Sequence, residues 1–421
     1  MNSFISIFKK QINAKTYAKY LLTLICFIGI LYWVVRISLY NSGDLMPQDY
    51  VARYMMQSSK KFCFYHQVVT GNGGYIFKTA LLAEMEKRPR ILAVGSSRVM
   101  KLYQAMFSQP FLNMGRVMSN VSEARQFFLH LPKMEKLPHT MIIGLDFWWF
   151  SRYKKEKVKK VRIDPSTLWM LQRAAKKIYG RAANWKYILY IAKNPSCNFG
   201  VEAKNKNIGF LSDGSFIYPY PFYKMKFLDE NFQDTRNRIE EKTDIFWLPE
   251  GGPNRKKMDI FISLVKELER KGVYVVVYIP PVAPTIHDLM KKKGHNDFVR
   301  KIYQYFKGHG VNIYNFHNPA IIGSGDCEFI DGYHPGDVTN ARLLKKLANS
   351  EPRLKKVLNM HFIDKMIEYY AGNASSLYST IFHMQERDFL KIGCKKRPPA
   401  PKWWSKESEY NLLHPLRDKP N

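Results

Sequence analysis

The chain has 421 residues, of which 66 are Lys or Arg and 35 are Asp or Glu, so its formal net charge is +31. This length allows one large domain with insertions or two domains. The excess of positive charge indicates an anionic partner, and composition alone leaves membrane head groups, an acidic polysaccharide and nucleic acid open. None of the five cysteines has the CxxC spacing of a zinc site, which argues against that class of protein.

An apolar run near the N-terminus predicts a membrane anchor. Residues 21–35 carry no charge, and residues 37–40 extend the run to about the 20 residues that cross a bilayer. Four lysines between positions 9 and 19 precede it, so the positive-inside rule predicts a cytoplasmic segment at 1–19 and a transmembrane helix at 20–40. The remaining chain is then expected outside the cytoplasm, periplasmic or at the cell surface, where nucleic acid is not an expected partner. A cleaved signal peptide and a buried soluble helix are the alternatives.

A serine-containing turn follows the first predicted strand. Residues 91–94 are consecutive apolar residues, Gly95, Ser96 and Ser97 interrupt them, and residues 98–107 have a composition typical of a helix. A strand, a tight turn of small residues and a helix can present a serine at the carboxyl edge of a parallel sheet. Ser97 is therefore a candidate nucleophile, provided that the chain also supplies a base, an orienting acid and an oxyanion site.

Apolar runs and helical patterns alternate along much of the chain. Further strands are expected at 111–115, 140–145, 273–279 and 311–315. Helices are expected at 79–86, 121–131, 256–271, 285–307 and 339–348, and Asn120 with Glu123 resembles a capping box at the start of the second. This alternation predicts an α/β fold with a doubly wound, five-stranded parallel sheet.

One long region interrupts the alternation. Residues 151–252 include a basic run at 152–160, a helical pattern at 167–192 and a stretch rich in Gly, Pro and aromatics. We interpret this region as an insertion or lid at the carboxyl edge of the third strand, which is the ligand edge of such sheets. The extracytoplasmic part is then divided into a stalk or lead-in (41–88), a first core half (89–150), the insertion (151–252), a second core half (253–350), and C-terminal helices with a basic tail (351–421).

Four cysteines, Cys63, Cys197, Cys327 and Cys394, lie in the part expected outside the cytoplasm. Disulfides are compatible with such a location, but the spacing leaves their pairing open. Cys26 lies within the apolar run. Neither a metal ion nor a cofactor is expected.

A second motif, Asp331-Gly-Tyr-His334, follows the last predicted strand. Right-handed crossovers would bring it to the same sheet edge as Ser97. An Asp three residues before a His can fold in one turn, so that the carboxylate holds Nδ1 and leaves Nε2 for a nucleophile. The alternative is a surface Asp-Gly turn with a solvent-exposed His.

With both motifs on one alternating sheet, the chain resembles the SGNH (GDSL-type) hydrolase superfamily, which has a flavodoxin-like sheet. Gly95-Ser-Ser97 is similar to its first block, with Ser in place of the usual Asp, and Asp331-Gly-Tyr-His334 is similar to its last. The resemblance implies a triad of Ser97, His334 and Asp331, with the N–H groups of Ser97 and Gly115 forming an oxyanion hole. It covers about residues 88–150 and 256–348.

The third block of that family usually ends in an Asn that donates to the oxyanion, whereas this chain has Asp146 at the matching position. A carboxylate would repel an oxyanion, and one lost donor costs about 10²–10³-fold in rate. Three alternatives are open: Asp146 is protonated or turned away, Asn113 or Asn120 supplies the donor, or the protein is a weak or altered catalyst. Asp146 could also be purely structural.

Three residues are candidates for substrate contacts. Arg98 could pair with an anionic group or form a local salt bridge, and Trp148 and Trp149 could stack on sugar rings or pack in a core or lid. The positive charge and the aromatic-rich insertion favour an envelope glycan or another anionic polymer as a substrate.

The resemblance implies two-step acyl transfer through Ser97. The expected protein is a serine esterase or O-acyltransferase that is anchored in the inner or plasma membrane and acts on ester-linked acyl groups. An acyl donor, a polymer acceptor and a membrane-bound acyl-delivering protein are its expected partners. One alternative is a weak or inactive envelope scaffold with the same fold. Another is a flavodoxin-like cofactor domain, for which the chain lacks a GxGxxG or Walker pattern.

Overall fold

The computed structural model describes residues 14–57, 63–66, 74–85, 89–134, 137–151, 197–218, 221–223, 228–249, 251–382 and 384–395. The predicted basic run at 152–160, the helix at 167–192 and the basic tail after residue 395 lie outside the described residues.

A five-stranded parallel sheet forms the centre of the molecule, as the sequence predicted. Its strands are β1 (Ile91–Gly95), β2 (Phe111–Gly115), β3 (Thr140–Gly144), β6 (Tyr274–Ile279) and β7 (Ile313–Asn315), in the spatial order β2-β1-β3-β6-β7. Counted along the chain, this order is 2-1-3-4-5, the order of flavodoxin-like sheets. The chain reverses its direction of travel across the sheet after β2, so a crevice opens at the carboxyl ends of β1 and β3. Two short strands, β4 (Gly209–Phe210) and β5 (Phe216–Ile217), form a separate antiparallel hairpin.

Helices cover both faces of the sheet. The described helices are α1 (Ala14–Ser42), α2 (Gln48–Gln57), α3 (Tyr75–Glu84), α4 (Val121–His130), α5 (Val201–Lys206), α6 (Gln233–Glu240), α7 (Arg255–Arg270), α8 (Pro284–Lys292), α9 (His295–Gly308), α10 (Asp337–Ser350), α11 (Pro352–Lys355), α12 (Met360–Tyr370) and α13 (Ser376–Phe382). Alternate residues of β1 show the two layers. Leu92 and Val94 belong to a core that includes α3, α4, α7 and α9, whereas Ile91 and Ala93 belong to a core with α10 and α12.

Helix α1 is long and apolar enough to cross a membrane, and none of its apolar window is buried in the protein. Its carboxyl end is attached to the predicted insertion, because the Gly200 N–H donates to Ser42 O at 2.7 Å and Lys204 Nζ donates to Asn41 O at 2.9 Å. The residues expected to form a stalk and lead-in contribute α2 and α3, whose buried side chains pack into the first core.

Two helix predictions were wrong. Residues 98–107 form two short 3₁₀ turns, Ser97–Val99 and Gln104–Met106, instead of one α-helix. The buried side chain of Asn113 donates to Val99 O and Leu102 O, so these carbonyls are satisfied without a helical ladder. The helix expected at 285–307 is divided into α8 and α9, because Gly294 has a φ of 75° and interrupts the helix.

The four scattered cysteines form two disulfides, Cys63–Cys197 and Cys327–Cys394. The first joins the lead-in to the insertion. The second joins the loop before residue 331 to the C-terminal segment, so both regions outside the alternating core are covalently attached to other parts of the chain.

Candidate active site

Ser97 lies at the carboxyl end of the central strand β1. Gly95 has a φ of 153°, and a Cβ there would lie 2.8 Å from Gly144 O, so the close approach of β1 and β3 at this point requires glycine. The Ser96 hydroxyl accepts a hydrogen bond from the Arg98 N–H and stabilises the turn. From residue 91 to residue 107, Ser97 is the one residue that is not buried. The chain thus presents a reachable hydroxyl on an otherwise buried segment.

The structure brings the three predicted triad residues together. Ser97 Oγ lies 2.7 Å from His334 Nε2, and His334 Nδ1 lies 2.6 Å from Asp331 Oδ2. The other carboxylate oxygen of Asp331 accepts the N–H groups of Tyr333 and His334 at 2.9 and 2.8 Å. We refer to residues 331–334 as the Asp-His turn.

The charge state of Asp331 sets the direction of these hydrogen bonds. Burial by itself raises the pKa of Asp331. The charge and hydrogen bond of His334 and the two backbone donors lower it by a larger amount, so the pKa of Asp331 is below its ordinary value. The carboxylate is therefore ionised at neutral pH and accepts the proton on Nδ1. Nε2 is then free to accept the hydroxyl proton of Ser97, which is the arrangement of a nucleophile and its general base.

Arg98 links the serine turn to the Asp-His turn. Its side chain is fully buried. Nε donates to Tyr333 O at 2.8 Å, Nη1 donates to Asp146 Oδ1 at 3.2 Å, and Nη2 donates to the carbonyls of Pro280 and Pro281 at 2.9 and 2.6 Å. The guanidinium proposed as a contact for an anionic substrate is thus bonded to four protein acceptors and is closed to solvent.

Asp146 is the buried counter-ion of Arg98. Burial raises the pKa of Asp146, and the charge of Arg98, hydrogen bonds from Ser96 and Arg98, and the charge of His334 offset only part of this increase. Burial also disfavours the charged form of Arg98 and so lowers its pKa, while the charge of Asp146 opposes this decrease. The hydrogen bonds of this guanidinium join the segments that follow β1, β3 and β6.

The groups considered for an oxyanion hole differ in their availability. The Gly115 N–H donates to Asn113 Oδ1 at 2.8 Å, and both Asn113 amide protons are bonded to carbonyls. Asn120 Oδ1 accepts the Glu123 N–H and begins α4, as the capping-box pattern predicted. Among the described residues, none accepts a hydrogen bond from the Ser97 N–H. This backbone group is available to an oxyanion.

The two tryptophans have different environments. Trp148 is partly exposed, lies 5.5 Å from the Arg98 guanidinium and contacts the Tyr333 ring edge to face. Trp149 is buried and packs on Phe261 of α7. Trp148 is therefore next to the Asp-His turn, whereas Trp149 lies in the core.

A second carboxylate, which no sequence pattern indicated, binds the Asp-His turn. Asp229 Oδ2 accepts the Gly332 N–H at 3.1 Å and the Thr235 hydroxyl at 2.6 Å. Asp229 lies 103 positions before Gly332 in the predicted insertion, and no local motif marks it.

Comparisons with protein-family models, curated proteins and solved structures found no match to this chain. Among the described residues, no group of three or more His, Cys, Asp or Glu side chains could hold a metal ion.

Proposed function

We propose that the protein is a membrane-anchored serine esterase or O-acyltransferase of the SGNH type. The observation that carries this proposal is the hydrogen-bonded chain from Ser97 Oγ through His334 to Asp331, at the carboxyl edge of a sheet with flavodoxin-like strand order. Nucleophile, base and orienting acid are each within bonding distance of the next.

The proposed reaction proceeds in two steps. His334 Nε2 takes the hydroxyl proton as Ser97 Oγ forms a bond to the ester carbonyl carbon, and the Ser97 N–H donates to the oxyanion. Collapse of the tetrahedral intermediate breaks the bond to the leaving oxygen, which receives the proton from His334. Water or a polymer hydroxyl then loses a proton to His334 and attacks the carbonyl carbon of acyl-Ser97. The bond from that carbon to Ser97 Oγ breaks, Oγ receives the proton from His334, and the acyl group leaves as a carboxylic acid or as an ester of the polymer.

Three observations support an extracytoplasmic location and an anionic polymer as substrate. Helix α1 could anchor the chain, and the two disulfides are typical of an oxidising compartment. The formal charge of +31 favours an anionic partner. With Lys9 and Lys10 before helix α1 and Lys15 and Lys19 in its first turns, the positive-inside rule favours the outer side of the membrane for the site in our proposal.

A fluorophosphonate probe tests the nucleophile directly. We expect the full-length protein in detergent to be labelled at Ser97, with labelling abolished in Ser97→Ala and reduced by about 10³-fold or more in His334→Ala. Ser263→Ala on α7 and His361→Ala on α12 are matched controls, because both residues are exposed and distant in the sequence from Ser97 and from His334. Labelling that persists in Ser97→Ala would contradict the proposal.

A second candidate function is an envelope scaffold that binds polymer without turnover. It is favoured by the oxyanion site, where the Gly115 N–H is already bonded and Asp146 replaces the expected Asn. An unlabelled but folded protein that still binds an anionic polysaccharide would favour this candidate over the enzyme.

A further inference from the structure

The Asp-His turn is short, and its position depends on where its backbone hydrogen bonds go. Its three N–H groups after Asp331 are all bound by carboxylates. Asp331 itself binds those of Tyr333 and His334, and Asp229 binds that of Gly332. Three carbonyls of the turn are also occupied: Gly332 O accepts from the Ala283 N–H, Tyr333 O from Arg98 Nε, and His334 O from the Ile330 N–H. Asp229 is thus the one carboxylate from another segment that binds this turn among the described residues.

Asp229 is itself held at the start of helix α6. Its Oδ1 accepts the N–H groups of Asp234 and Thr235 at 2.9 and 3.3 Å, and its Oδ2 accepts the Thr235 hydroxyl. A carboxylate in the first turn of a helix is favoured by the helix dipole. One side chain therefore fixes the amino end of α6 and the Asp-His turn relative to each other.

The turn and α6 also pack tightly at this point. A Cβ at Gly332 would lie 2.6–2.7 Å from three side-chain atoms of Thr235. Position 332 therefore has no space for a side chain. Its N–H points at Asp229. The turn is therefore seated against α6 both by packing and by a charge-assisted hydrogen bond.

The C-terminal segment contacts the residues next to Asp229. The Asn231 N–H donates to Leu390 O at 2.7 Å, and Lys391 Nζ lies 2.6 Å from Glu230 Oε2. The Cys327–Cys394 disulfide attaches this segment to the loop that precedes the Asp-His turn. The two residues that directly follow Asp229 are thus bonded to a segment that is itself joined to the loop before the Asp-His turn, which limits the movement of Asp229.

We propose that Asp229 is a positioning residue that holds the Asp-His turn in the geometry in which His334 Nε2 reaches Ser97 Oγ. This inference rests on the proposed function, since it concerns the reactivity of the same serine. Loss of the Gly332 hydrogen bond would let the turn move away from α6, and a displacement of about 1 Å at a reacting group can cost about 10²-fold in rate. The binding of a small ester would change little, because Asp229 bonds the turn and α6.

The test compares Asp229→Asn with Asp326→Asn in the full chain, using p-nitrophenyl acetate as the substrate. Asp326 is a matched control, because its carboxylate accepts the N–H and hydroxyl of Thr285 at the start of α8 in the same way. We expect Asp229→Asn to lower kcat by about 10²-fold with little change in KM. Asp326→Asn is expected to lower the melting temperature similarly while kcat stays near that of the wild type.

A second pair of variants covers the case in which Asp229→Asn does not fold. Thr235→Val removes the hydroxyl that orients Asp229 and keeps the shape, whereas Thr235→Ser keeps the hydroxyl. We expect kcat to fall in Thr235→Val and to be largely restored in Thr235→Ser. Equal kcat values in these two variants, or a wild-type kcat in Asp229→Asn, would overturn the proposal.

A readout without turnover separates this inference from the proposed function. The Nδ1 proton of His334, bonded to Asp331, is expected as a low-field proton resonance in the wild-type protein. We expect Asp229→Asn to broaden or shift it and Asp326→Asn to leave it unchanged. An absence of fluorophosphonate labelling in the wild type would count against the proposed function, whereas an unchanged resonance in Asp229→Asn would count against positioning by Asp229.

Discussion

The serine turn and the Asp-His turn are joined by two hydrogen bonds, Ser97 Oγ to His334 Nε2 and Arg98 Nε to Tyr333 O, but they are held in different ways. Ser97 follows a strand that pairs with β2 and β3 over all five of its residues, and the groups that shape its turn lie on adjacent strands or within two residues in the chain. The Asp-His turn follows a loop. Apart from Ser97, the residues outside the turn that bond it include Arg98, Asp229, Arg238 and Ala283.

This difference indicates which part of the site depends on the rest of the chain. The position of the serine follows from the sheet, so it persists whenever the sheet forms. The position of the histidine depends on the insertion and on the C-terminal segment. Changes in these segments should therefore affect the reactivity of Ser97 more than they affect the sheet itself.

Removal of the link between the two turns should have the largest effect. Arg98→Ala leaves Asp146 as an unpaired buried charge and frees Tyr333 O. We expect the free energy of unfolding to fall by about 3–5 kcal/mol and labelling of Ser97 to be lost. Denaturant unfolding measures the first and the fluorophosphonate probe the second.

Arg53→Ala is the control for that variant. Arg53 forms a bidentate pair with Glu84, but its side chain is 56 % exposed, so we expect little change in the free energy of unfolding. Similar losses of unfolding free energy and of labelling in Arg98→Ala and Arg53→Ala would mean that the buried Arg98 has no special role.

The two disulfides should differ in their effect on the site. We expect each Cys→Ser pair to lower the free energy of unfolding by about 2–4 kcal/mol. Only the variant without Cys327–Cys394 should also slow labelling of Ser97, because the segment it attaches supports residues 229–231. The Cys63–Cys197 pair is the control, and equal labelling rates in the two variants would contradict this account.

Gly332→Ala tests the packing of the Asp-His turn against α6. Its Cβ would enter the space of Thr235, and overpacking of this kind costs about 1–3 kcal/mol. We expect the rate of labelling of Ser97 to fall even under conditions in which the variant is still fully folded. Gly308→Ala, where a Cβ would have no atom within 4 Å, is the control and should leave both measurements close to those of the wild type.

A smaller effect is expected from Glu386 in the C-terminal segment, which makes the free energy of unfolding depend on pH. Burial raises the pKa of Glu386 to about 7, while hydrogen bonds from the Ala374 and Ser375 N–H groups oppose the increase. Because this pKa is higher in the folded protein, the stabilisation is complete below the ordinary Glu pKa and is lost as the pH rises through about 7. We expect the free energy of unfolding to decrease between about pH 4.5 and 7.

Glu386→Gln should flatten this decrease, which denaturant unfolding at a series of pH values would measure. The same slope in the variant and in the wild type would show that another group is responsible. Labelling of Ser97 at constant pH is expected to change least in this variant.

Local patterns explain what could be predicted from the sequence. The strands are short apolar runs, and Asp331 and His334 are three residues apart, so one turn brings them together. The five strands follow the expected segments to within two residues. The hydrogen bond between Ser97 and His334 then follows from the shared carboxyl edge of the sheet.

The features that escaped prediction depend on distant side chains. Residues 98–107 have a helical composition, but Asn113 binds their carbonyls from the neighbouring strand. Asp229 is separated from Gly332 by the end of the insertion, helices α7 to α9 and the two strands β6 and β7, and a single Asp has no pattern. The burial of Arg98 likewise depends on a distant segment, because its acceptors include the carbonyls of Pro280 and Pro281, directly after β6.

The acyl-enzyme is the most direct test of the central claim that Ser97 is a nucleophile activated by His334. The full-length protein would be mixed with p-nitrophenyl acetate, quenched in acid within the first turnover and mapped by mass spectrometry of its peptides. We predict one acetyl group on Ser97, formed slowly or not at all in His334→Ala. An unmodified Ser97 in the folded wild-type protein, with p-nitrophenol released at the same rate in Ser97→Ala, would contradict the account.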